Sequence, residues 1–339
     1  MRTTSAAARH LGWLLIAASL ALHFITVVAF ARQPDSLAAY TVMPIWVWGG
    51  VGLFLCGSAY LFLRAPLSMV MTAVWALTLL LGADEARVIA NIGKPAPRPG
   101  RPALVDGQRP IRVITFNSAH FQYGDPCEDL ARWDPDIVIL QECPGYRVKA
   151  IADRLYGGKG DYRSFALNGV ATRWEINREV RNPDRRFHYF NHNVTVQLPD
   201  TRTIEVVNLH LSSAATDLRL WQPACWQKHH ENRRQRRIEM AVALRILEDT
   251  AAFPGAQPVI LAGDFNAPPG DPVQRQLDRD FQDAFLASGT GWGNTFHRRI
   301  PILRLDQIHA TRHFTPVRCR AVTTRASDHR FVVADLLLE

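Results

Sequence analysis

The sequence predicts an α/β domain placed behind three N-terminal membrane-spanning helices. Two features of the pattern lead there. Roughly the first quarter of the 339 residues is apolar and almost uncharged. The remainder alternates short β-branched runs with Arg, Asp and His, and residues 238–247 form an amphipathic stretch of helical period. A chain of this length has ample material for a buried core.

The anchor comes first. Residues 11–30 (LGWLLIAASLALHFITVVAF) carry no formal charge over twenty positions, about the length that crosses a bilayer as a helix, with His23 expected neutral. Residues 42–63 repeat the pattern with Trp46 and Trp48 near one end, and 66–83 supply a third run, Arg64 lying between the two. Buried helices of a soluble protein would need polar residues at helical intervals, and these runs have almost none. The first span also reads as a signal peptide, since Arg2 and Arg9 precede it and Ala29-Phe30-Ala31 resembles a cleavage site. Both readings put the chain from residue 84 onward on the outer side. Positive-inside counting opposes this, because Arg87, Lys94, Arg98 and Arg101 follow the third span, but that rule is weakest before a long translocated domain. The expectation is a multi-pass protein of the inner membrane with an extracytoplasmic domain.

Residues 1–90 are therefore the anchor. Residues 91–110 (NIGKPAPRPGRPALVDGQRP) read as an extended, semi-rigid Pro/Gly spacer, and 111–339 as the main domain. No internal repeat stands out. The net charge of +8 comes mostly from arginines beyond residue 85, among them Arg178, Arg181, Arg185, Arg186 and the run Arg233, Arg234, Arg236, Arg237. Such a surface suits a polyanionic substrate or an anionic membrane face, and the run reads equally as a solvated helix face. Cys56 sits in an apolar span. Cys127, Cys143, Cys225 and Cys319 show no metal spacing and read as buried thiols or as an even set for disulfides.

The strands of the main domain end in polar residues. Ile111-Arg112-Val113-Ile114-Thr115-Phe116 ends at Asn117, and Ile137-Val138-Ile139-Leu140-Gln141 at Glu142. Ile204-Glu205-Val206-Val207 runs into Asn208 and His210, and Val259-Ile260-Leu261-Ala262-Gly263 into Asp264 and Asn266. Asp328-His329 precedes a final strand at 331–338. Singly, each Asn or Asp is a strand cap or turn opener. As a set, with Asp306, they hold what water-driven phosphoester cleavage requires: a hard cation, an activated water and donors for the developing charge. Glu142 is the leading metal ligand. Asn117 and Asp328 complete a shell of oxygen donors suited to Mg²⁺ or Mn²⁺. Paired Cys or His spacing is missing, so zinc is not expected.

Six stretches carry a resemblance: Thr115-Phe116-Asn117, Leu140-Gln141-Glu142, Val207-Asn208-Leu209-His210-Leu211, Leu261-Ala262-Gly263-Asp264-Phe265-Asn266, Leu305-Asp306-Gln307-Ile308 and Ser327-Asp328-His329. In content and order they resemble the endonuclease/exonuclease/phosphatase superfamily, the group of deoxyribonuclease I, exonuclease III and the neutral sphingomyelinases. The three preceding spans resemble those of membrane-anchored bacterial members whose catalytic domain faces away from the cytoplasm. The resemblance implies a four-layer α/β sandwich, two packed mixed β-sheets flanked by helices, with a metal site at one rim. It further implies that Glu142 and Asn117 bind the metal, with Asp328 a second metal or water contact. Asp264 would orient or deprotonate the attacking water, and Asn266 would hold a phosphate oxygen, with Asn208 also on the substrate side. His329, steadied by Asp306, would contact the phosphate or transfer a proton. His210 would stabilise the transition state or protonate the leaving oxygen.

Two departures narrow the reading. None of Tyr156, Tyr162 and Tyr189 sits in a motif that matches the catalytic Tyr of several nuclease members, and Gly263-Asp264-Phe265-Asn266-Ala267-Pro268-Pro269 lacks the continuation of the inositol polyphosphate phosphatases. The histidines at 188, 192, 229, 230 and 297 read as surface or loop residues rather than ligands. The expected partners are the lipid bilayer and a phosphorylated substrate. A phospholipid or lipid-linked phosphate is favoured by the anchor, and nucleic acid is the alternative, as for a surface nuclease. No base-reading module and no obligate protein partner is evident. A non-catalytic binding module is opposed by the intact carboxylates, which are costly to keep without a metal.

Overall fold

The structure, a computed structural model, describes residues 5–182, 189–214, 217–250, 257–277 and 279–339. Arg185, Arg186 and His188 lie outside them. The chain forms two compact units, Met1–Ala90 with Leu218–His230, and Asn91–Asp217 with Glu231–Glu339.

The first unit holds three apolar helices, α1 (Ala6–Arg32), α2 (Ile45–Leu63) and α3 (Pro66–Gly82). Ser5 caps α1 by accepting a hydrogen bond from the Ala8 amide at 3.2 Å. Arg64, in left-handed conformation, ends α2, and Pro66 opens α3. The helices meet through small and polar residues, as apolar surfaces with no hydrophobic drive between them must. Gly52 leaves room for Trp75, whose indole would lie 2.0 Å from a Cβ there. Trp75 Nε1 donates to Ser19 Oγ at 2.9 Å. Two helices, α1 and α2, are long and apolar enough to cross a membrane, with mean hydropathy 2.4 and 1.6. The third predicted span is shorter: α3 bends by 72° into Asp84–Asn91 and reaches spanning length only together with it.

In the second unit the expected sandwich is present. Twelve strands run as β1 (Ile111–Asn117), β2 (Ile137–Gln141), β3 (Asp161–Phe165), β4 (Asn168–Thr172), β5 (Glu175–Val180), β6 (Asn191–Gln197), β7 (Thr203–His210), β8 (Val259–Asp264), β9 (Phe281–Asp283), β10 (Asp306–Thr311), β11 (Phe314–Val322) and β12 (Phe331–Leu338). They form two six-stranded sheets, ordered β11-β12-β1-β2-β4-β3 and β5-β6-β7-β8-β10-β9. Each sheet has one parallel pair, β1 with β2 and β7 with β8, flanked by antiparallel neighbours. The two sheets thus share one topology, a repeat the sequence does not display because packing constrains only burial and register, not residue identity. Under the equivalence His210 corresponds to Asn117, since each faces across to Asp264 and Gln141 respectively.

Helices cover the outer faces. On the first sheet α4 (Gly145–Tyr156) places Val148, Ile151 and Tyr156 against Phe116, Val138 and Leu140. On the second, α5 (Pro223–Asp249) places Met240, Ala243 and Leu247 against Val207, Leu209 and Leu261. By the two-residue alternation of a strand, Asn117, Asn208, His210 and Asp264 then point to the inner faces.

Three expectations are corrected. The segment 91–110 is no free spacer. Asn91 Nδ2 donates to Leu286 O at 3.2 Å and Lys94 Nζ to Ala287 O at 3.1 Å. The Arg112 guanidinium, buried and paired with Asp335 at 2.7 Å, also takes the carbonyls of Arg98 and Gly100. A Pro-rich chain has few amides to offer but every carbonyl, and a buried Arg needs acceptors. Arg233 and Arg236 are neither solvated nor available to a polyanion, being buried on the inner side of α5 with Asp271 at 3.2 and 3.5 Å. His192 and His229 are not surface residues: both are buried, and His192 bonds Glu179 at 2.8 Å.

Candidate active site

The inner-face strand ends open into a cavity of about 590 Å³ whose walls include Glu142, His210, Asp264, Asn266, Asp328 and His329. Alternation alone would send Glu142 to the outer face, because its neighbour Gln141 faces inward. A left-handed φ of 51° breaks the alternation and turns the carboxylate back toward the cavity. Asn266 has φ 47°, which Asn tolerates. Gly263 has φ 149° and sits so close to β7 that a Cβ would lie 1.9 Å from Leu209 O, so the Gly before Asp264 is a backbone requirement.

Asn117 joins the two sheets at this rim. Its Nδ2 donates to Glu142 Oε1 at 3.2 Å and to Asp264 Oδ2 at 3.0 Å, and its Oδ1 accepts from the Ala119 amide at 3.0 Å. The amide nitrogen therefore faces the carboxylates, and binding a cation through Oδ1 requires the group to turn over and lose the Ala119 bond. Asp264 Oδ1 accepts from the Asn266 amide at 2.9 Å, so both carboxylate oxygens are fixed. His210 Nε2 lies 3.6 Å from Glu142 Oε1 and 4.0 Å from Asp264 Oδ2. Asn266 Nδ2 spends one hydrogen on Leu211 O at 2.9 Å and keeps the other.

Opposite stands the terminal triplet. Ser327 Oγ donates to Asn117 O at 2.7 Å and accepts from the His329 amide at 3.0 Å, tying this loop to the end of β1. His329 Nδ1 lies 2.8 Å from Asp306 Oδ2. Asp306 is held in turn by Thr295, whose Oγ1 accepts from the Leu305 and Asp306 amides at 3.1 Å. Burial alone would depress the imidazole, but Asp306, Asp264 and Asp328 outweigh it and His329 is pushed up to about 10, so it stays protonated at neutral pH.

The donor set fits a divalent cation. Glu142, Glu239, Asp264 and Asp328 line the cavity, and among the described lining residues there is neither Lys nor Arg. Asp264, Asp306 and His329 bring their side-chain ends within 4.8 Å of one another, and Asp306 Oδ1 is buried with no hydrogen-bond partner among the described residues; His329, with its proton on, leaves the carboxylates as the donors of this group. This group overlaps the expected set only in its neighbourhood: Glu142 and Asp328 reach the same cavity, while Asn117 meets it through nitrogen.

A sequence profile of the endonuclease/exonuclease/phosphatase family matches residues 114–329. The chain belongs to this family. The solved structures agree on the fold. A family protein from Bacteroides vulgatus superposes with TM-score 0.54 at 18% identity, covering 68% of this chain and all of that one. A mannosyl-6-phosphatase from Bacteroides thetaiotaomicron gives 0.51 at 16%, covering 67% of this chain and all of that one. D. rerio TDP2 complexed with single-strand DNA product gives 0.50 at 15%, covering 67% and 98%. No curated protein matches the chain. Membership in the family makes the chain a phosphoesterase-type hydrolase, and its motif residues do converge, except one.

Asn208 does not reach the substrate side. It is buried, donates to Leu140 O at 2.8 Å and Gly169 O at 3.0 Å, and accepts from Gln141 Nε2 at 2.7 Å. Its place, one pleat deeper than His210 on the same face, makes it a bolt between the sheets. Asn208→Ala strands three polar groups and is expected to cost about 2–4 kcal/mol of stability, with KM of the folded enzyme unchanged; a thermal melt beside a KM measurement checks this, and a raised KM at full stability would restore the substrate role. Conversely, sequence reasoning missed Tyr189, Ser212 and Glu239, which line the cavity, and Thr295 and Arg298, which support it. Arg298 donates from its amide to Asp328 O at 2.7 Å and from Nη1 to Ser327 O at 2.6 Å. Nothing local marks these positions, because each acts through chain segments distant in sequence.

Proposed function

We propose that this family member is a membrane-anchored, Mg²⁺- or Mn²⁺-dependent hydrolase of a lipid-linked or otherwise membrane-associated phosphoester, working on the extracytoplasmic side of the inner membrane. One observation carries the cation dependence: four carboxylates and, among the described residues, no Lys or Arg line the cavity, a field that a bound cation would offset for a phosphate. When bound, the cation neutralises phosphate oxygens and polarises the ester.

The chain's own residues then divide the work. Glu142 and Asp328 are the donors that would hold it, with Asp306 Oδ1 buried nearby, which leaves Asp264 and the protonated His329 for proton work. Asp264, fixed by Asn117 and Asn266, orients the attacking water and accepts its proton. His329 with its proton on, held by Asp306, donates to a phosphate oxygen. His210, across the cavity, protonates the leaving oxygen, and the second amide hydrogen of Asn266 binds another phosphate oxygen.

The apolar helices support a bilayer substrate. The nuclease reading gains no support from the described lining, which holds no Lys or Arg for a nucleic-acid backbone. Full-length protein in detergent, assayed with Mg²⁺ or Mn²⁺ against phospholipid vesicles, plasmid DNA and a soluble phosphomonoester, is expected to cleave the vesicle lipid fastest and to stop with EDTA. Preferred cleavage of DNA would replace the substrate assignment, and turnover in EDTA would remove the cation.

A further inference from the structure

Beside the cavity lies a histidine that no motif includes. His120 follows Asn117 by three residues, and its Nε2 lies 3.4 Å from Glu142 Oε2. Ala119, His120 and Phe121 have φ of 46°, 53° and 61°, three consecutive left-handed residues with side chains. Such residues avoid this conformation. The turn is pinned from both ends. Asn117 Oδ1 accepts from the Ala119 amide, Ser118 Oγ donates to Glu142 O at 2.9 Å, and the Phe121 amide donates to Ser118 O at 2.9 Å. Glu142, itself left-handed, is thereby locked to the turn that presents His120.

The spacing is informative. At 3.4 Å the pair is too far apart for a good hydrogen bond. Two donors each about 2.1 Å from one cation, at octahedral or tetrahedral angles, are roughly 3.0–3.4 Å from each other. Imidazole nitrogen discriminates between cations: it binds first-row transition ions in preference to Mg²⁺, which favours oxygen.

We propose that His120 is a further ligand of the cation held at Glu142, and that it makes the site select a transition cation such as Mn²⁺ over Mg²⁺. This rests on the cation-dependent reading above. It also revises the expectation drawn from spacing, because the nitrogen comes from a turn after β1 and the carboxylate from the end of β2, which no short motif joins.

The test uses full-length protein in detergent, stripped with EDTA, and reads binding rather than turnover. Mn²⁺ is titrated by electron paramagnetic resonance and Mg²⁺ by competition, for wild type, Glu142→Gln, His120→Ala and His120→Asp. Wild type is expected to bind Mn²⁺ at least about tenfold more tightly than Mg²⁺, and His120→Ala to lose about tenfold of that ratio. His120→Asp, which keeps a donor but swaps nitrogen for oxygen, loses the ratio while retaining Mg²⁺. Pulsed resonance of the Mn²⁺ protein loses one nitrogen coupling in both His120 variants. If both keep the wild-type ratio and couplings while Glu142→Gln loses Mn²⁺, the assignment of His120 is overturned and the cation site stands. If wild type binds neither cation, the reading beneath it is overturned as well.

Discussion

Glu142→Gln is expected to lower kcat for phosphoester hydrolysis by about 10³-fold, or about 4 kcal/mol of barrier, while the protein stays folded. The carboxylate is held in a left-handed backbone and, among the described residues, meets an amide nitrogen and two imidazoles within 3.6 Å, the environment of a ligand rather than of a structural ion pair. Stability should hold or rise, since the substitution removes one negative charge from a cavity that has four carboxylates in its wall. Turnover at saturating substrate and a circular-dichroism melt decide it. A fully active Glu142→Gln enzyme would sink the metal assignment, and an unfolded one would show that the residue is structural.

Asp306→Asn is the second large effect. The carboxylate supplies the charge that keeps the proton on His329, so kcat near neutral pH should fall by about 10²–10⁴-fold. The alkaline limb of the pH–rate profile should move to lower pH. The stability consequence has a definite sign. His329 has a folded-state value raised to about 10 above its ordinary 6.5, so the pair stabilises the fold fully below about pH 6.5 and loses that contribution as pH rises through 10. In EDTA, the gap in unfolding free energy between wild type and Asp306→Asn should therefore be widest near pH 6.5, narrow toward pH 10 as His329 loses its proton, and narrow again in acid as Asp306, shifted upward by burial, gains one. A gap independent of pH, with an unmoved alkaline limb, would mean that Asp306 does not hold the His329 proton.

Much of the scaffold was legible because burial writes itself into composition. β1, β2, β7, β8 and β12 are β-branched runs, and all lie within a residue or two of where the pattern puts them. β6 was not legible. Asn191, His192 and Asn193 look like loop residues, yet all three are buried, their polar groups met partly by Glu179 and by one another. β5, with an exposed and intermediate pattern, lacks the alternation that would reveal it. Arg233 and Arg236 of α5 misled for a related reason, while Arg234 is exposed as a solvated face requires: charge marks a surface only where no partner is buried with it, and Asp271, far along the chain, is.

The site divides along the same line. Sequence by itself determined the kinds of groups present and their order: a carboxylate after β2, Asn-x-His on β7, Gly-Asp-x-Asn after β8, Asp306 and the closing Ser327-Asp328-His329. It also determined that apolar helices precede them, because a run without charge over a bilayer's thickness has few other stable settings. Tertiary structure alone decided depth and direction. Asn208 and His210 share a strand face, and only the packing of one sheet on the other buries the first and opens the second to the cavity. Only the left-handed turns at Glu142 and at residues 119–121 bring a carboxylate and an unheralded imidazole to within 3.4 Å. The physical reason is range. Period and composition report each residue's nearest neighbours along the chain, whereas a cation site is set by atoms that meet from strand ends tens to hundreds of residues apart.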